Sequence, residues 1–269
     1  MSVASDTGRS NTRERALGPE TEYRFELDSG TSLAIRVLKG HAEVFGAELA
    51  DGKYYLFGHE CKAAIFTWQG CTIEMRTPST EYVSDETPMN AYANVHLALQ
   101  KMRVRALSTH RGSPLPSGPE QDVDPEPPRV LVLGPENSGK TTVCKILTNY
   151  AVRAGQGWSP MYVNTNPSEG GWTVPGTAAW YGHPEIKRNP LLMDRLIRIM
   201  DENVTERLEG DSDGRASGVI VDTPSSFASS PSSTSTPDHR RTLIRACVDA
   251  FRSKPYSIPE ILLQDDCSL

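Results

Sequence analysis

The stretch LVLGPENSGKTTVCKIL, from Leu131 to Leu147, constrains the fold more than any other part of the chain, because Gly134 to Thr141 fit G-x-x-x-x-G-K-[ST] without a gap. Such a loop works only between a buried strand and the start of a helix, where successive backbone N–H groups make an anion nest and the helix dipole favours phosphate. The flanks meet that demand. RVLVLG before the loop is a continuous apolar run, and Thr141 to Tyr150 after it read as a helix. The spacing predicts a phosphate cradle built from Gly134, Asn137, Ser138, Gly139, Lys140, Thr141 and Thr142, with Lys140 reaching the β and γ phosphates and the Thr141 hydroxyl binding Mg²⁺. Phosphoryl transfer, a hydrolytic switch and simple retention of ATP all use this loop, so the rest of the chain has to separate them.

Downstream, MYVNT reads as a second buried strand and GVIVDT, Gly218 to Thr223, as a third. Between them Leu192, Leu196, Met200, Val204 and Leu208 fall on one helical face within Leu191 to Leu208, and a last helix spans Arg240 to Phe251. Strand and helix alternate, which predicts an α/β domain with a parallel sheet over 129–252. Asp222 ends the apolar run VIVD, where a carboxylate at the sheet's C-terminal edge holds the metal through water. The alternative is a helix-capping or loop aspartate. Ser225 to Pro237 is a loose low-complexity stretch, and 253–269 has no clear pattern.

The first half follows a different period. Residues 1–20 are polar and aperiodic and read as an arm. From Tyr23 apolar and polar residues alternate, and Gly40, Gly46, the Asp51-Gly52 pair and Gly58 punctuate short runs that close with CTIEM near Met75. This predicts a small antiparallel β-sandwich. After Pro88 the period becomes helical through Tyr92, Val95, Leu99, Met102 and Ala106, so the β domain with its exit helix is placed at 21–107. Residues 108–128 contain SPLPSGPEQDVDPEPP, which has almost nothing to bury and reads as a linker.

Composition removes several function classes. Five cysteines are an odd number with no C-x-x-C pair, and Met1 to Arg15 lacks an apolar signal core, which points to free thiols in a reducing compartment. A net charge of -6 argues against a general nucleic-acid coat, although a local basic groove stays open. No apolar run approaches the roughly 20 residues of a membrane span.

Four blocks in order then carry a resemblance. TEYRFEL with HAEVFGAELADGKYY, KAAIFTWQGCTIE and DETPMNAYANVH, the phosphate loop, VNTNPSEGGWTVPGT, and RLEGDSDGRASGVIVDTPSSF resemble the Clp-type subunit of eukaryotic, fungal-like, pre-mRNA cleavage and polyadenylation factor, within the polynucleotide 5′-hydroxyl kinase family. The resemblance covers about Tyr23 to Phe251. It implies ATP as the nucleotide, with Mg²⁺, and contacts to adenine from Glu22 and Lys62. Taken without the family, those two residues are ordinary solvated charges. It further implies nuclear localisation, a role in mRNA 3′-end processing, contact with other processing factors, and docking to the scaffold subunit that also recognises the polymerase tail, and it leaves contact with RNA open.

Three departures bear on catalysis. Active members place an aspartate after the second core strand as general base, and here Asn166 stands there, whose amide cannot accept a proton. Glu169 is the nearest carboxylate in sequence. Only Ala178 to Trp180 occupy the place of a longer substrate-side connection, and the chain ends at Leu269 before the family's remaining core and C-terminal domain, so a C-terminally truncated, incomplete sheet with an open edge is expected. Two functions remain, a non-catalytic ATP-holding subunit or an ATP-dependent polynucleotide 5′-hydroxyl kinase. A GTPase switch is the weaker third, because no N-K-x-D guanine signature is present.

Overall fold

Strict alternation of inward apolar and outward polar side chains builds the first of two compact units, 1–88, and continuous apolar strands build the second, 89–269. The computed structural model describes residues 12–58, 60–76, 80–113, 126–166, 177–179, 189–227 and 239–252.

In the first unit β1 (Arg13–Leu17), β8 (Cys71–Met75), β3 (Ser32–Gly40) and β6 (Tyr54–Gly58) form one antiparallel sheet in that order. The second sheet runs β5 (Ala47–Glu48), β4 (Glu43–Val44), β7 (Lys62–Thr67), β2 (Thr21–Glu26), β9 (Thr80–Ser84). Tyr23, Phe25, Ile35, Val37, Ile65 and Ile73 form part of one core drawn from both sheets, as the period of two requires. The antiparallel β-sandwich expectation holds.

Residues 1–20 are not simply an arm, however. Arg13–Leu17 is an edge strand paired with β8 from Arg13↔Met75 to Leu17↔Cys71. Its inward positions are Arg13, Arg15 and Leu17, and the two arginines bind Glu81, with Arg15 also 5.6 Å over the Tyr23 ring. A strand that faces inward with charge gives no apolar alternation to read. Burial in turn pushes the Tyr23 phenol up to about 12 against the opposing pull of Arg15 and Arg13. Nor does the strand series close at Met75, since β9 pairs with β2 from Glu22↔Ser84 to Glu26↔Thr80.

The second unit has a parallel sheet ordered β10 (Arg129–Val132), β13 (Val219–Asp222), β11 (Met161–Asn164), β12 (Thr177–Ala179). On one face α1 (Met89–His110) and α2 (Lys140–Arg153) pack through Leu99, Cys144, Leu147, Tyr162 and Ile220. The other face carries α3 (Pro190–Glu209) and α5 (Arg240–Ala250), with Ile197, Val204, Val219, Val221, Cys247 and Phe251 in its core. Asn189 caps α3 by accepting from the Leu191 and Leu192 N–H groups, with Pro190 in the first turn. Gly218 opens β13 at φ +85, and a Cβ there would lie 2.1 Å from the Pro128 carbonyl, so only glycine lets β13 start beside β10.

The helix read as the exit of the β domain packs its apolar stripe on α2 and on α4 (Ser212–Ser217), within the unit that starts at Met89. Arg103 is its most buried polar residue, donating from Nε to the Ser217 carbonyl at 2.9 Å, and burial pulls its guanidinium down to about 10. The helix also runs to His110, into the stretch read as linker, and 114–125 lie outside the described residues. Ser225–Phe227 forms a 3-10 turn that buries Phe227, so the start of the stretch read as loose is anchored, while 228–238 and 253–269 lie outside the described residues.

Candidate functional site

The phosphate loop joins the end of β10 to the start of α2. Its backbone takes left-handed values at Asn137 (φ 62) and at Gly139 (φ 79), the residue preceding the helix, which turns the chain sharply into α2. Gly134 is held by close approach rather than by φ, since a Cβ there would stand 2.5 Å from Ser138 Oγ. Ser138 Oγ and Lys140 Nζ both donate to the Pro135 carbonyl, at 2.9 and 2.7 Å. The lysine ammonium is therefore folded over the loop that its own helix follows. Thr142 lies in the first turn of α2.

Asp222, the last residue of β13, is 1% exposed and sits in register with Val132 on β10 and Asn164 on β11. Its Oδ2 accepts from the Thr141 hydroxyl at 2.6 Å and from the Tyr162 hydroxyl at 3.0 Å. The carboxylate and the loop threonine, 81 positions apart in sequence, are thus brought together. Tyr162 was not foreseen. The signal was its place two residues before Asn164 on a buried strand, which puts its ring under α2 and its hydroxyl at the carboxylate.

Asn166 follows β11 directly, its backbone N–H donating to Asn164 Oδ1 at 2.8 Å, while Thr165 binds the Asp222 carbonyl through both N–H and hydroxyl. The position expected of a general base therefore lies at the same sheet edge as Asp222. Glu169 lies outside the described residues.

The first unit treats its two candidates differently. Glu22 on β2 is 5% exposed and is bound by Arg24 Nε at 2.7 Å and by the Thr87 hydroxyl. Burial pulls the Arg24 guanidinium down, but its bonds to Tyr82 and Glu22 outweigh that and hold it above its ordinary value. Lys62 on β7 is largely exposed and pairs with Glu26 at 2.6 Å. The ladder sets Glu22 opposite Phe66 and Glu26 opposite Lys62. Glu22 and Lys62 share a face but stand four ladder positions apart, about 13 Å at the usual rise per residue.

Among the described residues no group of three or more His, Cys, Asp or Glu could hold a metal by itself. One carboxylate beside one hydroxyl is instead the oxygen set with which a protein shares Mg²⁺ with a nucleotide's phosphates and water. Thr141 and Asp222 fit that ion.

Comparisons with known proteins bear on the family and the fold. A family described as the N-terminal beta-sandwich domain of polyadenylation factor matches residues 16–106, and one described as the mRNA cleavage and polyadenylation factor CLP1 P-loop matches 134–180. The chain is 62% identical to the mRNA cleavage and polyadenylation factor CLP1 of Laccaria bicolor, covering 92% of this chain and 58% of that protein. It is 38% identical to the clp1 factor of Aspergillus niger (76% of this chain, 45% of that one) and 36% identical to the CLP1 homolog of Aedes aegypti (77% and 52%). The chain thus spans about half the length of the curated relatives it matches. A solved Clp1p–Pcf11p complex superposes with a TM-score of 0.68 at 22% identity, covering 90% of this chain and 59% of that one. A second, described as an extended Pcf11p–Clp1p interface with the basis for ATP loss in a glycine-to-arginine mutant, gives 0.69 at 22%, covering 91% and 61%.

Proposed function

Because the chain belongs to the CLP1 family of mRNA cleavage and polyadenylation factors, we propose that it is an ATP-holding subunit of the nuclear pre-mRNA cleavage complex, supporting endonucleolytic cleavage in polyadenylation-dependent 3′-end formation. One observation carries the reading: the elements that hold Mg-ATP meet in one place, while an amide occupies the position of the base. Lys140, already held over the loop by a carbonyl, exchanges that bond for phosphate oxygen. Thr141 would bind the metal through its hydroxyl and Asp222 through water. The ion neutralises charge on the β and γ phosphates when bound. Asn166 offers no proton acceptor, so ATP stays intact and acts as a ligand that stabilises the fold and its partner surface.

The related solved structures are complexes with Pcf11p, which supports docking of the corresponding scaffold subunit on this chain. Glu22 and Lys62 fit the adenine role only if that base lies along the outer face of the β2–β7 ladder. The second reading, a polynucleotide 5′-hydroxyl kinase, draws on the same Thr141–Asp222 pair, since positioning and metal supply most of the acceleration in phosphoryl transfer.

Thermal unfolding with and without Mg-ATP tests the first reading, and Lys140→Ala is its control. At 100 times Kd the ligand adds about 2.7 kcal/mol, and the variant loses that shift. No shift in the wild type, or an equal shift in the variant, overturns it. Transfer of γ-labelled phosphate to a 5′-hydroxyl oligonucleotide above the Lys140→Ala background establishes the kinase instead.

A further inference from the structure

We propose that the side-chain amide of Asn164 is an additional nucleotide contact, donating from Nδ2 to an oxygen of the terminal phosphate and so favouring ATP over ADP. This rests on the nucleotide reading above.

Asn164 is the last residue of β11 and is 2% exposed. Side chains alternate across a strand, so it shares a face with Tyr162, which packs against Cys144 and Leu147 of α2. Asp222 shares a face with Ile220 of the same cluster, and the register sets Asn164 beside Asp222. The amide therefore stands next to the carboxylate, on the side of the sheet that carries α2 and Thr141.

Its orientation is fixed. Oδ1 accepts the Asn166 N–H at 2.8 Å, and reversing the amide would set one N–H against another. Nδ2 is the open end, buried and with no hydrogen-bond partner among the described residues. Buried amide donors in native proteins are almost always paired, and an orphan at a candidate site calls for a specific acceptor. A neutral donor does not ligate a cation. The acceptor that the neighbouring loop is built to receive is phosphate, and the backbone nest already serves the inner phosphates. The strand edge beside Asp222, across from Thr141, is left for the terminal one.

Isothermal titration of wild type, Asn164→Ala and Asn164→Asp with Mg-ATP and with Mg-ADP tests this. Asn164→Asp keeps an acceptor for the Asn166 N–H while removing the donor, so it serves if Asn164→Ala does not fold. Losing a hydrogen bond to a charged acceptor should weaken ATP about tenfold or more in either variant and change ADP less than about twofold. Equal losses for both nucleotides, or no loss, overturn the assignment and leave Nδ2 a site for ordered water. Wild-type protein that binds neither nucleotide overturns the nucleotide reading itself. Wild type that binds both equally overturns only the preference assigned to Asn164.

Discussion

Lys140 and Lys62 are both assigned to the nucleotide, yet the chain holds them in opposite settings. Lys140 reaches back to a carbonyl five residues earlier in a loop whose shape is set by its own glycines, and Asp222 meets the adjoining Thr141 at the end of β13. Lys62 lies on an open strand face, occupied by Glu26 and four ladder positions from Glu22. A site closed within one loop is specified by local backbone geometry. One spread along a ladder needs something large and flat, such as a base, to lie across it.

That contrast orders the predictions. Lys140→Ala has the largest effect, lowering Mg-ATP affinity about a hundredfold, the loss that would cancel the thermal shift of a ligand at 100 times Kd. Titration calorimetry measures it, and a loss of the same size in Lys62→Ala would erase the distinction. Glu22→Ala comes next, because Arg24 Nε and the Thr87 hydroxyl both lose the carboxylate they donate to, which costs about 1–3 kcal/mol in denaturant unfolding. If the cost falls on ATP affinity and leaves unfolding unchanged, Glu22 serves the base more than its own unit. Lys62→Ala costs under about 1 kcal/mol of stability, since its ion pair with Glu26 is exposed.

The smallest effect is a pH slope belonging to the phosphate-loop unit. Burial first, and Arg103 second, hold the His96 imidazole below its ordinary value. A base depressed in the folded state takes its proton first in the unfolded chain. The contribution is therefore present above the unfolded value of about 6.5 and is lost as pH falls below it. His96→Gln should flatten the melting-temperature slope between about pH 7 and 5, and an unchanged slope removes His96 as its source.

Sequence pattern revealed the central strands and the four longer helices because each buries apolar residues at a fixed period, whereas the short α4 went unread. Among the described residues the strands it missed, β1, β5, β9 and β12, all lie at sheet edges. An edge strand packs on one neighbour only, and β1 does so through Arg13 and Arg15 bound to Glu81, so its partners are tertiary and its apolar period is absent. The stripe on α1 showed that the helix was amphipathic without showing which unit it served. In the site, Gly134 to Thr142 and Asp222 were legible because motif and strand end are local signals. Tyr162 and Asn164 were not, because their places beside Asp222 follow from β11 lying beside β13, a pairing no local pattern encodes.

The central claim is that the loop holds ATP without consuming it. Nucleotide extracted from protein purified without added ATP, then from the same protein after incubation with Mg²⁺ and a 5′-hydroxyl RNA oligonucleotide, tests it most directly. The account predicts stoichiometric ATP in both samples, absent from Lys140→Ala. ADP in the site, or phosphate on the oligonucleotide above the Lys140→Ala background, contradicts it.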